Sequence, residues 1–286
     1  MFLTLFALAF VGQAHPAPDA PRTDPPQPPP KTLTVVLDKD YPPYIFTASD
    51  GTAKGILVDT WKLWEEKTGV PVVLRPMEWS AAQQELLDGK ADVIDTIFRT
   101  ADREKHYSFS PPYATIEVPV FVHSDLSGIH DLETLRGFTV GVKRGDATVD
   151  YLSSRGVLPL MAFDSYETVI RAAKDASVKV FCVDKPPALY YLYKFGLENQ
   201  FRLAFTLYNG AFHRAVRKGN EDLLRFVEDG FSRIPPAQYE AIDKRWRGSA
   251  LFSSDAVHYS VVSLIVFVSI AALLLGLIAL LRRTVR

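Results

Sequence analysis

Between Lys31 and Gly248 the apolar positions switch repeatedly between two spacings. Leu33-Thr34-Val35-Val36-Leu37 is a short β-rich run, and Pro71–Leu74, Ala91–Ile97, Phe138–Val142 and Val178–Val183 share that character. Helical spacing lies between these runs. Val58–Lys67 sets Val58, Trp61 and Trp64 on one side of a predicted helix that stops at Gly69. Ser80–Asp88, Ala147–Ser154 and Pro187–Phe195 carry the same signal. This alternation predicts an α/β fold with mostly parallel strands. In open sheets of that kind ligands sit beyond the carboxyl ends of the strands. The polar residues that follow the predicted strands are therefore the candidates: Asp38, the stretch Thr96–Arg103, Arg144-Gly145-Asp146, and Asp184.

The two ends follow other patterns. Tyr259–Leu281 holds no charge over 23 residues. At 1.5 Å per residue it reaches about 35 Å, the thickness of a bilayer core. Arg282, Arg283 and Arg286 follow it, whereas Ser253–His258 before it has no Lys or Arg. The positive-inside bias predicts a single-pass span at 259–281, a cytoplasmic tail at 282–286, and everything before it outside the cytoplasmic membrane. Phe2–Val11 is too short to span and suits the apolar core of a signal peptide (residues 1–14), with Gly12-Gln13-Ala14 at cleavage spacing, although no Lys or Arg precedes it. Residues 15–30 carry eight prolines and predict an extended linker.

Composition changes little. The chain has 286 residues, 48% of them hydrophobic, with 32 Lys and Arg against 33 Asp and Glu. That near-balance gives no basic excess for a nucleic-acid partner. The one cysteine, Cys182, rules out an internal disulfide, and its apolar setting reads as a buried strand. The sequence holds no P-loop, GxGxxG, GxSxG or HExxH, and its six histidines lack metal-ligand spacing. No enzyme chemistry and no cofactor is expected.

Six stretches, in order, resemble the bacterial solute-binding proteins of the amino-acid-binding type, family 3. They are Asp38-Lys39-Asp40-Tyr41-Pro42-Pro43-Tyr44, Gly55–Asp59, Leu87-Asp88-Gly89-Lys90-Ala91-Asp92, Thr100–Arg103 with Phe109–Tyr113, Leu135–Val142 with Gly145, and Tyr239–Trp246. The resemblance implies a bilobed periplasmic-binding-protein type II fold over 31–250, the Venus flytrap, followed by the transmembrane helix. Lobe one would be 31–118 plus 206–250, and lobe two 119–205. Ligand would be trapped between them by hinge closure.

The resemblance also implies residue roles. Arg103 matches the arginine that clamps a ligand carboxylate, for which a planar guanidinium is suited. Tyr41 matches the aromatic that stacks on the ligand, while Tyr44 reads as core. Asp184 matches the acid that binds the ligand's ammonium. Asp38 either meets a cationic group or caps its loop, and Trp79 is either a pocket wall or core. The chain departs from the family pattern at two places. Phe98 and Arg99 stand after Thr96 where small hydroxyl residues are common. Gly145-Asp146-Ala147 stands where Gly-Thr at a helix N-terminus usually grips the carboxylate. Asp146 either repels an anion, favouring a ligand with extra positive charge, or serves only as the helix N-cap. The expected partners are a small amino-acid-like ligand, the membrane through Tyr259–Leu281, and either a signalling protein or an ABC-type permease.

Overall fold

The computed structural model describes residues 30–48, 50–248 and 262–270. β1 (Leu33–Asp38) is buried at every position but Thr34, as a strand covered on both faces must be. β2 (Asp40–Tyr41), β3 (Ile45–Thr47) and β4 (Ala53–Lys54) form a small antiparallel sheet beside it. α1 (Ile56–Thr68) buries Leu57, Val58, Trp61 and Trp64, a helical stripe. It ends where Gly69, at φ 72°, adopts the left-handed conformation and donates its N–H to Glu65 O at 2.8 Å. β5 (Val72–Met77), α2 (Trp79–Leu87) and β6 (Val93–Phe98) follow, with β5 and β6 parallel to β1 on its two sides. After a 3-10 turn at Arg103–Lys105, β7 (Tyr107–Phe109) completes this half.

β8 (Ala114–His123) then carries the chain into a second lobe. That lobe is built from α3 (Leu132–Leu135), β9 (Val140–Lys143), α4 (Ala147–Ser153), β10 (Leu160–Phe163), α5 (Tyr166–Lys174), β11 (Val180–Cys182) and α6 (Lys185–Lys194). β12 (Phe201–Arg217) returns to the first lobe, which α7 (Glu221–Ser232) and α8 (Pro236–Arg247) close. Asp59 of α1 fixes α8 by accepting from Trp246 Nε1 at 2.8 Å and Arg245 Nη1 at 3.0 Å.

The strand order is β10-β9-β11-β8-β12-β6-β1-β5, with β7 on β12. The β1–β5, β1–β6, β9–β10 and β9–β11 pairs are parallel, as the alternation predicts. The sheet is nonetheless mixed. β8 and β12 cross between the lobes in opposite directions, so they pair antiparallel, from His123–Phe201 to Ala114–Phe212. Register shifts at Leu203–Phe205 and Thr206–Tyr208 interrupt this two-strand crossing where the lobes meet. The principal core runs through both lobes, and a smaller one beneath α2 contains Val36, Trp79, Leu86, Ile94 and Ile97.

Among the described residues no helix is long and apolar enough to cross a membrane. Of the predicted span only 262–270 is described, and it is helical with Leu264, Ile265 and Phe267 exposed. The predicted signal peptide, the linker up to residue 29 and the tail at 282–286 lie outside the described residues.

Candidate ligand-binding cleft

Asp38, Tyr41, Trp79, Thr96, Phe98, Arg103, Asp146 and Asp184 all line one cleft between the lobes, together with Lys143 and Tyr166. Each comes from the end of an element. Asp38 and Thr96 sit at or near the carboxyl ends of β1 and β6, Lys143 ends β9, and Asp184 lies two residues past β11. Trp79, Asp146 and Tyr166 stand at the N-termini of α2, α4 and α5. The cleft is closed: the free space is about 10 Å³, room for roughly one water, and side chains of the two lobes meet directly.

Arg103 spans the lobes. Nη1 donates to Phe98 O at 2.9 Å on its own side, and Nη2 to Gly145 O at 3.0 Å on the other. Gly145 O also accepts from Trp79 Nε1 and from Gln83 Nε2, each at 3.1 Å. Three donors from the first lobe thus converge on one carbonyl of the second. A carboxylate offers the same acceptor chemistry with a full charge, and these donors can satisfy one in place of that carbonyl. Trp79 is both core and pocket wall, packing in the smaller core while its indole N–H faces the cleft.

A second cluster in the cleft is acidic. Asp184 Oδ2 accepts from Tyr41 at 2.7 Å, and the single Tyr166 hydroxyl proton is shared between Asp146 Oδ2 at 3.0 Å and Asp184 Oδ2 at 3.2 Å. Asp184 Oδ1 is buried with no hydrogen-bond partner among the described residues. Burial, then the nearby Asp146 carboxylate, pushes the Asp184 carboxyl up to about 8, against the opposing hydrogen bond from Tyr41 and the charge of Lys143. Asp146 is the N-cap of α4, accepting from Ala147 N at 2.9 Å, so the capping role is real.

Asp38 does meet a cation, and that cation is Lys143 of this chain: the two form a buried interlobe ion pair. Burial pulls the Lys143 ammonium down to about 8, while Asp146 and Asp184 hold it up. Asp38 also holds its own loop, accepting from Asp40 N at 3.1 Å. Asp40 makes a second bridge, taking the Tyr191 hydroxyl and, at 3.3 Å, Glu167 N at the start of α5.

Thr96 has φ 62°, a sparsely populated conformation for a β-branched residue that costs on the order of 1–3 kcal/mol. Asp95 holds it there, accepting from Thr96 N at 2.7 Å, and is itself clamped by Trp61 Nε1 (2.8 Å) and Tyr113 OH (2.6 Å). Phe98 packs against Phe212, and Gly210 makes room for it: a Cβ at 210 would lie 2.3 Å from the Phe98 ring.

Lys143, Tyr166 and Asp40 are absent from the sequence candidates. Lys143 follows directly on the predicted strand Phe138–Val142, where its neighbours do not distinguish it from a solvated lysine; β9 runs one residue further and ends on it. Tyr166 opens a helix that the apolar spacing did not flag. Its signal is the Ser165–Thr168 capping box ahead of Val169, Ile170 and Ala173. A larger hollow of about 670 Å³ lies under α8, but its buried Arg214 is engaged by Glu228 at 3.2 Å and lies 3.3 Å over the Phe231 ring. Those contacts hold the fold.

A two-lobed sheet, a doubled crossing and an interlobe cleft lined by a donor cluster and an acidic cluster are the features of a solute-binding domain of the amino-acid type. The chain belongs to the bacterial extracellular solute-binding proteins, family 3, which it matches over residues 33–249. It is 29% identical over 228 residues to the L-cystine-binding protein TcyJ of Escherichia coli (strain K12), covering 76% of this chain and 83% of that one. It is 24% identical over 212 residues to the virulence sensor protein BvgS of Bordetella bronchiseptica, covering 73% of this chain and 17% of that protein. It also resembles the crystal structure of a histidine kinase sensor domain with similarity to periplasmic binding proteins. There the TM-score is 0.71 and the identity 27%, over 76% of this chain and 96% of that one. Domains of this kind therefore occur both in binding proteins and in sensor proteins.

Proposed function

We propose that the cleft binds an amino acid as a zwitterion, its carboxylate on Arg103 and its ammonium on Asp184, with lobes 31–118 plus 206–250 and 119–205 closing around it. The observation that carries this is a donor cluster and an acidic cluster lining one cleft. Arg103, Trp79 and Gln83 present N–H donors to one acceptor point, and the Asp184 carboxyl lines the same cleft with its Oδ1 buried and without a partner among the described residues. Tyr41, Phe98, Thr96 and Asp146 complete the ligand's surroundings. The bound signal passes to a membrane partner, with this domain as the input module of a receptor. The likeness to BvgS and to the kinase sensor domain supports this, as does the apolar stretch 259–281 close behind α8. The likeness to TcyJ supports a second reading, a tethered binding component of an ABC-type transporter.

The test is calorimetric titration of the full chain with the twenty amino acids and cystine. At least one zwitterion is expected to bind, and Arg103→Ala and Asp184→Asn each to weaken it about 100-fold, since each leaves a buried ligand charge unpaired. Wild-type affinity in both variants would sink the assignment. Crosslinking in cells then separates the two readings, a kinase-type partner supporting the first and a permease the second.

A further inference from the structure

Lys143 is 1% exposed, yet its ammonium lies in the cleft. It sits on the Asp38 carboxylate, 4.0 Å from the centroid of the Tyr166 ring and 5.7 Å from that of Trp79. A carboxylate and two aromatic faces around one ammonium is how proteins recognise an alkylammonium or guanidinium ligand. Here the chain's own lysine fills the place, reaching from β9 across to β1.

We propose that Lys143 sets which side chains the cleft admits: it occupies the cation position between Asp38, Tyr166 and Trp79, so the cleft takes amino acids with uncharged side chains and turns away basic ones. This deepens the zwitterion assignment and rests on it for where the ligand's backbone lies. An arriving ammonium or guanidinium would meet Lys143 at contact distance in a site screened from water, where like charges repel strongly. Pushing Lys143 aside would instead strand its charge among buried groups without its carboxylate. With Lys143 shortened, Asp38 and the two aromatic rings become a vacant cation site. The charges facing that place from every side are Asp38, Arg103, Asp146 and Asp184, three acids against one remaining cation.

The experiment titrates the full chain, its Lys143→Ala variant and the Asp38→Asn/Lys143→Ala double variant with L-lysine, L-arginine, ethylammonium and the best uncharged amino acid. Wild type is expected to bind the uncharged amino acid and to show no saturable heat with millimolar L-lysine, L-arginine or ethylammonium. Lys143→Ala should gain about 100-fold or more for the three cations, and the double variant should lose that gain. If Lys143→Ala does not fold alone, ethylammonium or L-arginine should restore its thermal transition. Tight L-arginine binding by wild type, a folded Lys143→Ala without the gain, or an unfolded one that no cation rescues would each overturn the proposal. The two assignments fail separately. Ethylammonium binding by the variant with no amino acid bound by wild type removes the zwitterion and keeps the Lys143 site. Uncharged amino acids bound by wild type with no gain in the variant does the reverse.

Discussion

Asp184 carries the clearest pH consequence at the scale of single residues. Its carboxyl is raised to about 8 in the closed cleft, chiefly by burial, from 3.8. The folded protein therefore holds a proton that the unfolded chain releases near pH 4. Stability contributed by this group is present at low pH and falls as pH rises from about 4 to about 8. Lys143, lowered from 10.5 to about 8, acts in the next window: the folded protein releases its proton first, so stability recovers from about pH 8 toward 10. The thermal midpoint of wild type is expected to drop between pH 5 and 8, and Asp184→Asn to flatten that slope. A ligand ammonium pairs with the carboxylate form, so binding below pH 8 should release a proton, seen as a dependence of the calorimetric heat on buffer ionisation enthalpy. A wild-type midpoint unchanged from pH 5 to 8 would refute this account of Asp184. The candidate cleft residues were legible because strand ends are short in sequence and the flanking motifs are recognisable. Lys143 was not, since its neighbours do not set it apart from a solvated lysine past a strand, and its charge acquires a meaning only when Asp38, 105 positions away, is brought against it.

Two glycines test the elements that frame the cleft. In α7, a Cβ on Gly230 would stand 2.2 Å from Trp64 Nε1 and 2.7 Å from Thr68 Cγ2 of α1. Gly230→Ala would gain helix propensity worth about 0.5–1 kcal/mol, but forcing the helices apart costs about 1–3 kcal/mol and disturbs the Trp64 hydrogen bond to Val227 O. A net loss in urea unfolding with little change in ligand affinity is expected. In β12, Gly210→Ala displaces the Phe98 ring, which lines the cleft, so its larger effect should be on binding, about tenfold, measured by titration. An unchanged affinity would argue against Phe98 as a wall of the occupied site. α1 and its stop at Gly69 were readable because both are written in neighbouring residues. β8 and β12 were not: their pairing joins positions 78 to 98 apart, and β12 breaks its apolar alternation with Gly210, polar side chains and two register shifts.

Closure is the property of the whole molecule. Bridges between the lobes at the cleft include Lys143 to Asp38, three donors onto Gly145 O, Tyr41 to Asp184, and Asp40 to Tyr191 and Glu167 N. Asp40→Ala removes one without touching the ligand walls. The variant is expected to show a larger radius of gyration by small-angle scattering without ligand, and to contract when the amino acid is added. Identical radii for wild type and variant would mean that this bridge does not hold the lobes. The sequence by itself determined the α/β alternation, the helix stops, the family and most of the cleft's residues, because these depend on local spacing and on motifs a few residues long. Only the tertiary structure decided the mixed sheet, the doubled crossing, and the fact that the cation facing Asp38 belongs to the chain itself. Each of these pairs residues far apart in sequence, and burial rather than spacing sets the strength of the charges they bring together.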